Sequence, residues 1–304
     1  MDVADAPSVR FLGAGVRGLQ IENVVRSFYG VHALSGVSLQ VPAHGITGLI
    51  GPNGAGKTTL FNCISGVIPP DRGHILFDGI DITGLRPDRV TAAGLVRTFQ
   101  IARGLARLSV LENLLIYGQH QPGETMFAAL VKSRAALARE EVLVEKALAV
   151  ADRLNLRRVI RNPAAALSGG QKKLLEIGRA LMADPKMILL DEPVAGVNPT
   201  LAREIGEHLR ALAAGGLPIL LIEHHMDMIA RLCDRVIVLA EGRHLAEGGF
   251  EHVAHRERRK DVVLLRYIGE ACARDVGRRA RRKVGAVEGH ATRFGLQQSD
   301  DHLQ

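Results

Sequence analysis

Gly51-Pro52-Asn53-Gly54-Ala55-Gly56-Lys57-Thr58-Thr59 is the glycine-rich run from which the architecture of this chain can be worked out. It satisfies G-x-x-x-x-G-K-[ST] in full, between an apolar strand-like run, Gly45 to Ile50, and a helical pattern, Thr59 to Val67. Phosphate oxygens need many donors converging on a small volume, and glycines let the backbone aim successive N–H groups inward. Gly51, Gly54 and Gly56 supply that freedom. A helix beginning near Lys57 adds roughly half a positive charge at its N-terminus, so phosphates meet amides and a dipole together. Lys57 is placed to reach β- and γ-phosphates, and the Thr58 hydroxyl to ligate Mg²⁺. A chance glycine-rich turn is the bland alternative, and the strand-loop-helix context argues against it.

The chain has 304 residues and is 47% hydrophobic, enough for one large core or two smaller ones. Its apolar runs, such as Met187–Leu190 and Leu217–Ile222, fall far short of the ~18 residues a membrane-spanning helix needs. The N-terminus reads Met-Asp-Val-Ala-Asp-Ala-Pro, acidic where a signal peptide is basic, which predicts cytoplasmic residence. Cys63, Cys233 and Cys272 lack metal-ligand spacing and are odd in number, so they read as buried thiols. His252 and His255 form H-x-x-H without further ligands, and no metal site is expected there. The net charge of +7 suits an anionic partner. Aromatics are only 4% with no Trp, so the stacking platforms of single-strand binders are largely missing and no nucleic acid is expected. A membrane surface fits the charge better.

Residues 1–18 read as a flexible leader. From Leu19 the pattern becomes strand-like, through Val24-Val25 and Phe28-Tyr29-Gly30 to the alternation of Val37, Leu39 and Val41. His74–Phe77 and Ile80–Ile82 flank Asp78-Gly79, a hairpin signal. Arg97-Thr98-Phe99-Gln100 ends this strand region. Ser109–Tyr117 and Lys132 to Leu156 then carry apolar residues at helical spacing, which predicts a helical insertion. Leu167-Ser168-Gly169-Gly170-Gln171 follows the Asn162-Pro163 break and precedes a helix over Lys172–Met182. Met187-Ile188-Leu189-Leu190 is a buried-strand run that ends in Asp191-Glu192, placing two carboxylates at a strand's C-terminal end, where open α/β sheets bind ligands. A helix over Leu201–Ala214, a strand over Pro218–Ile222, a helix over Met226–Cys233 and a strand over Arg235–Leu239 complete the alternation. It predicts a mostly parallel sheet covered on both faces.

This order of motifs, from the phosphate loop through Gln100, Leu167–Gln171 and the Asp191-Glu192 strand to a later strand ending in His224, resembles an ABC transporter ATP-binding subunit. The likeness covers about Leu19 to Gly248. It implies an α/β ABC ATPase fold of the P-loop NTPase type, with an antiparallel β subdomain and an inserted helical subdomain. The ATPase domain is expected over residues 19–250, its helical subdomain over about 101–185, and a basic extension over 251–304. Arg97–Gln100, Ser109–Leu114, Ala195-Gly196-Val197-Asn198-Pro199 and Glu223-His224-His225-Met226 look similar to the branched-chain amino acid uptake subgroup. Asn198 stands where many relatives have Asp, so aspartate-specific contacts across a dimer do not carry over. Lys172 replaces a second Gln often seen after the signature. Val262–Glu270 resembles that subgroup's tail, and nothing after Glu270 has a counterpart.

The resemblance implies roles. ATP and Mg²⁺ are the expected cofactors, with Gly51, Pro52, Asn53, Gly54, Ala55, Gly56, Lys57, Thr58 and Thr59 around the phosphates. Thr58, Asp191 and Gln100 are the expected metal contacts. Glu192 is the expected base for the attacking water, His224 a γ-phosphate contact, and Gln100 a sensor and hinge, with Lys57 completing the catalytic set. Phe28 is expected to stack on adenine, with Tyr29 as the fallback. Ser168, Gly169, Gly170 and Gln171 are expected to meet the nucleotide held by a second ABC ATPase subunit, identical or paralogous. Taken without the family, Glu192 is a charged strand end, His224 a satisfied histidine, Gln100 a solvated side chain and Ser168 a helix cap.

The implied partners are transmembrane permease subunits and, indirectly, an external solute-binding protein, at the cytoplasmic side of the inner membrane. The surface near Gln100–Asn113 is expected to face the permease. Arg274, Arg278, Arg279, Arg281, Arg282 and Lys283 make a basic segment that either is a solvated tail or touches anionic lipid. The competing readings are an importer for urea or short amides, a soluble ABC ATPase of repair, translation or cluster assembly, and a P-loop GTPase or kinase. Leu167–Gln171 with His224 speaks against the last.

Overall fold

In the computed structural model the described residues are 17–98, 105–119, 134–251 and 253. Gln100, Cys272, the His252/His255 pair, Val262–Glu270 and the basic run Arg274–Lys283 lie outside them, as does the leader up to residue 16.

Two sheets face each other across one helix. The first is antiparallel, of β1 (Gly18–Phe28), β2 (Val31–Pro42), β4 (Arg72–Phe77) and β5 (Ile80–Asp81), in the order β2-β1-β4-β5. The second has six strands in the order β10-β9-β3-β8-β7-β6. There β3 (Ile46–Ile50), β6 (Leu95–Arg97), β7 (Met187–Asp191), β8 (Ile219–Ile222) and β9 (Arg235–Ala240) run parallel. β10 (Arg243–Gly248) closes one edge antiparallel to β9. The expected mostly parallel sheet and separate antiparallel sheet are both present.

Sequence explains the hairpins. Asp78 and Gly79 both have positive φ between paired Phe77 and Ile80, which is the backbone a two-residue turn needs to match strand twist. Tyr29-Gly30 turns β1 into β2 in the same way, and Glu241-Gly242 turns β9 into β10. The sequence reading did not anticipate β10: its two apolar side chains, Leu245 and Ala246, are adjacent, so no alternating apolar signal marks it.

Helix α1 (Lys57–Ile64) fills the space between the sheets. Leu60, Phe61 and Ile64 are buried in one cluster with Leu19, Leu39 and Phe77 from one sheet and Leu49, Leu189 and Ile237 from the other. Each such side chain contributes about 1.5–3 kcal/mol by leaving water. The core therefore locks the end of β3, and the loop after it, to both sheets. Helix α2 (Pro87–Ala92) precedes β6, with proline at its first position, where a missing N–H costs nothing.

The helical insertion holds α3 (Val110–Leu115), α4 (Arg134–Arg153) and α5 (Gly169–Met182). Asn113 is fully buried, and its Nδ2 donates to the carbonyls of Leu105, Leu108 and Ser109 at 3.0, 3.0 and 2.9 Å. Its Oδ1 accepts from Arg179 of α5, so one amide ties two helices together. Helix α5 begins three residues before the expected Lys172, because Ser168 and Gln171 form a reciprocal capping box that draws both glycines into the helix. A Cβ on Gly170 would stand 2.2 Å from Leu201 Cδ1, so a glycine there lets α5 close on α6 (Pro199–Ala214). Helix α7 (Met226–Leu232) follows β8.

Candidate active site

Register fixes the site. Leu49 of β3 pairs with Ile222 of β8, which pairs with Asp191 of β7, so three neighbouring strands end in one row. The phosphate loop, Glu223-His224 and Glu192 thus leave the sheet side by side, at strand spacings of about 4.8 Å.

The loop is braced from outside. Gly242 N–H donates to Ala55 O at 3.1 Å, and Ser35 N–H to Gly242 O at 2.8 Å. A Cβ on Gly51 would lie 2.0 Å from Leu239 O, and one on Gly56 2.4 Å from Ala33 O. Gly54, at φ 82°, meets nothing within 4 Å. Among the described residues the backbone N–H groups of Gly54, Gly56, Lys57, Thr58 and Thr59 have no acceptor. Five such donors at a helix N-terminus, with a lysine, are the chemistry a polyphosphate requires. The residues present therefore fit ATP.

Lys57 is 6% exposed and donates from Nζ to Gly51 O at 2.7 Å and Pro52 O at 2.8 Å. Burial pushes its ammonium below the ordinary lysine range, while Glu192 and Asp191 pull it back up. All three expected groups thus share one electrostatic environment. Asp191 accepts from Arg97 Nη2 at 2.9 Å, and Arg97 Nη1 donates to Asn62 Oδ1 at 2.6 Å and Ser65 Oγ at 3.1 Å. Arg97 also lies over the Phe61 ring. It fixes one carboxylate oxygen by a fork braced on α1.

Glu192 sits at φ 49°, an uncommon backbone for a non-glycine residue, held there by its N–H donating to Ile222 O at 3.0 Å. His224 Nε2 stands 2.6 Å from Glu192 Oε1. Behind them Glu223, 1% exposed, accepts at Oε1 from Val194 N–H at 3.3 Å and at Oε2 from His224 N–H at 3.0 Å. The roles of Arg97 and Glu223 were missed in the sequence. Arg97 pairs with Leu189, two residues from Asp191 on the same face, but that signal appears only once β6 is known to neighbour β7.

Other expected positions fall apart from this row. Phe28 is 38% exposed with Arg26 over its ring at 4.9 Å, and Tyr29 is fully exposed beside it. Ser168 and Gly169 are exposed at the start of α5, Gly170 is buried, and the side chains of Ser168 and Gln171 bond each other's backbone. Cys63 is buried, as expected, but Cys233 is only half-buried. Burial still pushes the thiols to about 11 and about 12.

Parallel strands ending in a glycine loop with its lysine, an Asp-Glu pair and a histidine, joined to an antiparallel sheet and a helical insertion, define a P-loop nucleotide-hydrolysing cassette. The sequence profile of the family described as "ABC transporter" matches residues 34–195. "Probable branched-chain amino acid transport ATP-binding protein LivG" of Methanocaldococcus jannaschii is 43% identical over 252 residues, covering 83% of this chain and 97% of its own length. The "High-affinity branched-chain amino acid transport ATP-binding protein BraF" of Pseudomonas aeruginosa is 36% identical, over 83% of this chain and 98% of its own. The crystal structure of the ADP conformation of MJ1267, an ATP-binding cassette of an ABC transporter, superposes with a TM-score of 0.72 at 41% identity, covering 84% of this chain and 99% of that one. The chain belongs to the ABC transporter family, as an ATP-binding, ATP-hydrolysing subunit.

Proposed function

We propose that this cassette powers uptake of branched-chain amino acids from the cytoplasmic side of the inner membrane, docked beneath permease subunits and fed by an external solute-binding protein. The names of its relatives support the cargo. Among the described residues no helix is long and apolar enough to cross a membrane, consistent with a subunit that acts through transmembrane partners.

The observation that carries the chemistry is the single row of Leu49, Ile222 and Asp191, which brings a phosphate loop, a paired carboxylate and a histidine to one edge. Bound Mg²⁺ supplies charge neutralisation at the transferred phosphoryl group, and Thr58 with Asp191 would hold it. Lys57 and the five free amides hold the phosphates in place. Glu192 accepts a proton from the attacking water at a carboxylate oxygen, and His224, hydrogen-bonded to Oε1, keeps that carboxylate turned toward the phosphates. Gln100, outside the described residues, is proposed to report on the same water. Phe28, with Tyr29 beside it, offers an exposed ring for a purine.

Exposed Ser168 and Gly169 at the N-terminus of a fourteen-residue helix make a second anion-binding end. We assign it to the nucleotide of a second cassette, identical or paralogous, so that two ATP molecules lie between two subunits. Purification of the full chain from its native membranes should bring down a permease. ATP turnover of that complex should rise with a leucine-loaded binding protein and not with urea. Stimulation by urea alone would redirect the cargo, and a chain free of any permease would support a non-transport ATPase.

A further inference from the structure

Glu223 has no part in the chemistry above, yet it is the most deeply buried carboxylate beside it, at 1% exposure. Burying an ion is unfavourable unless donors replace water, and this one has four. Oε1 accepts from Val194 N–H at 3.3 Å. Oε2 accepts from His224 N–H at 3.0 Å and His225 N–H at 3.4 Å, and lies 3.0 Å from His225 Nδ1. Val194 belongs to the turn after β7, in which Ala195 N–H donates back to Glu192 O at 3.1 Å. His224 and His225 belong to the turn after β8. Two loops on adjacent strands are thus strapped by one carboxylate, and across the gap they meet again where His224 Nε2 approaches Glu192 Oε1 at 2.6 Å.

We propose that Glu223 is the positioning residue of the hydrolytic site, its two oxygens clamping the Glu192 turn to the His224 turn so that base and histidine keep their mutual geometry. The inference rests on the reading of Glu192 as base and His224 as its partner. Neither strand can supply the clamp, because the ladder between β7 and β8 ends at Asp191 and Ile222. Beyond that row, among the described residues, only Glu192 N–H, bonded to Ile222 O, continues the backbone pairing. A side chain must hold the rest, and among the described residues Glu223 bonds backbone N–H groups of both turns. Loops that carry catalytic groups need such a second layer, since small displacements cost orders of magnitude in rate.

Glu223→Gln keeps the volume but leaves one accepting oxygen, so either Val194 or the His224/His225 set faces an NH₂ donor. In the nucleotide-free full chain, amide exchange at Val194 or at His224 should quicken about tenfold or more, while exchange at Leu189 and Leu221 stays as in the parent. In the ATPase assay kcat should fall about tenfold with ATP affinity within about twofold, and Glu223→Asp should recover part of the loss. Unchanged exchange at both turns, or kcat, affinity and core exchange deteriorating together, would overturn the clamp. Glu192→Gln run alongside separates the two levels. If it loses hydrolysis while Glu223→Gln keeps its full rate, only the clamp fails; if it keeps its full rate, the base assignment fails and the exchange data alone decide the clamp.

Discussion

His224 Nε2 and Glu192 Oε1 lie 2.6 Å apart, a hydrogen bond between the loops that follow two adjacent parallel strands. The ionised carboxylate only accepts, so the imidazole must carry its proton at Nε2. Replacing His224 with Ala should lower kcat by about ten- to a hundredfold while ATP affinity, set mainly by the loop and Lys57, changes little. Steady-state hydrolysis and equilibrium binding of a fluorescent ATP analogue, measured on one preparation, check the split.

The glycines of the phosphate loop should not be equivalent. Gly54 has φ 82° and open space around it, so Gly54→Ala carries only the left-handed backbone cost, about 1–2 kcal/mol. Gly56 has φ 95°, and its Cβ would meet Ala33 O at 2.4 Å, a carbonyl that cannot swing away. Gly56→Ala should destabilise by at least about 1 kcal/mol more than Gly54→Ala. Urea denaturation of both variants gives the comparison, and equal losses would contradict the bracing by β2.

Burial raises both thiols, Cys63 to about 11 and Cys233 to about 12. A raised thiol pKa means the neutral form prevails at every pH below it, and the thiolate is the nucleophile. In a Cys272→Ser background, Ellman's reagent at pH 8 should therefore leave the native protein almost unreacted and titrate both thiols after denaturation. Rapid native labelling at Cys233, the more exposed of the two, would show that its environment opens.

Much of the site was legible because its motifs are local. A glycine loop, a serine-capped helix and a strand ending in two carboxylates each announce themselves within ten residues, and in the fold Ser168 caps α5 and Asp191 ends β7. What was not legible depends on which strands are neighbours. Arg97 bonds Asp191 across 94 positions, and Glu223 bonds Val194 across 29. β10 escaped because its apolar Leu245 and Ala246 are adjacent and do not alternate, although Glu241-Gly242 offered a turn signal that could have found it. Helix α5 starts at Gly169 rather than at the expected Lys172 for a different reason: the Ser168/Gln171 capping box outweighs the poor helix propensity of the two glycines.

Ser168→Arg should separate binding from assembly. Its side chain is exposed and its capping bond is with Gln171, so ATP affinity of the monomer should stay within about twofold. ATP-dependent dimerisation, read by light scattering at saturating nucleotide, should be lost, because a bulky cation occupies the anion-binding end offered to the other subunit. A parallel fall in monomer affinity would contradict the assignment of that helix end to a second cassette.

In the proposed mechanism Glu192, one residue beyond β7 and hydrogen-bonded to His224, is the base for hydrolysis of ATP bound at Lys57. Glu192→Gln removes the basic oxygen and keeps the size of the side chain. Its steady-state turnover of Mg²⁺-ATP should fall by about two orders of magnitude or more, with ATP affinity preserved and an ATP-dependent dimer accumulating. Turnover at the parent rate in that variant would contradict the account.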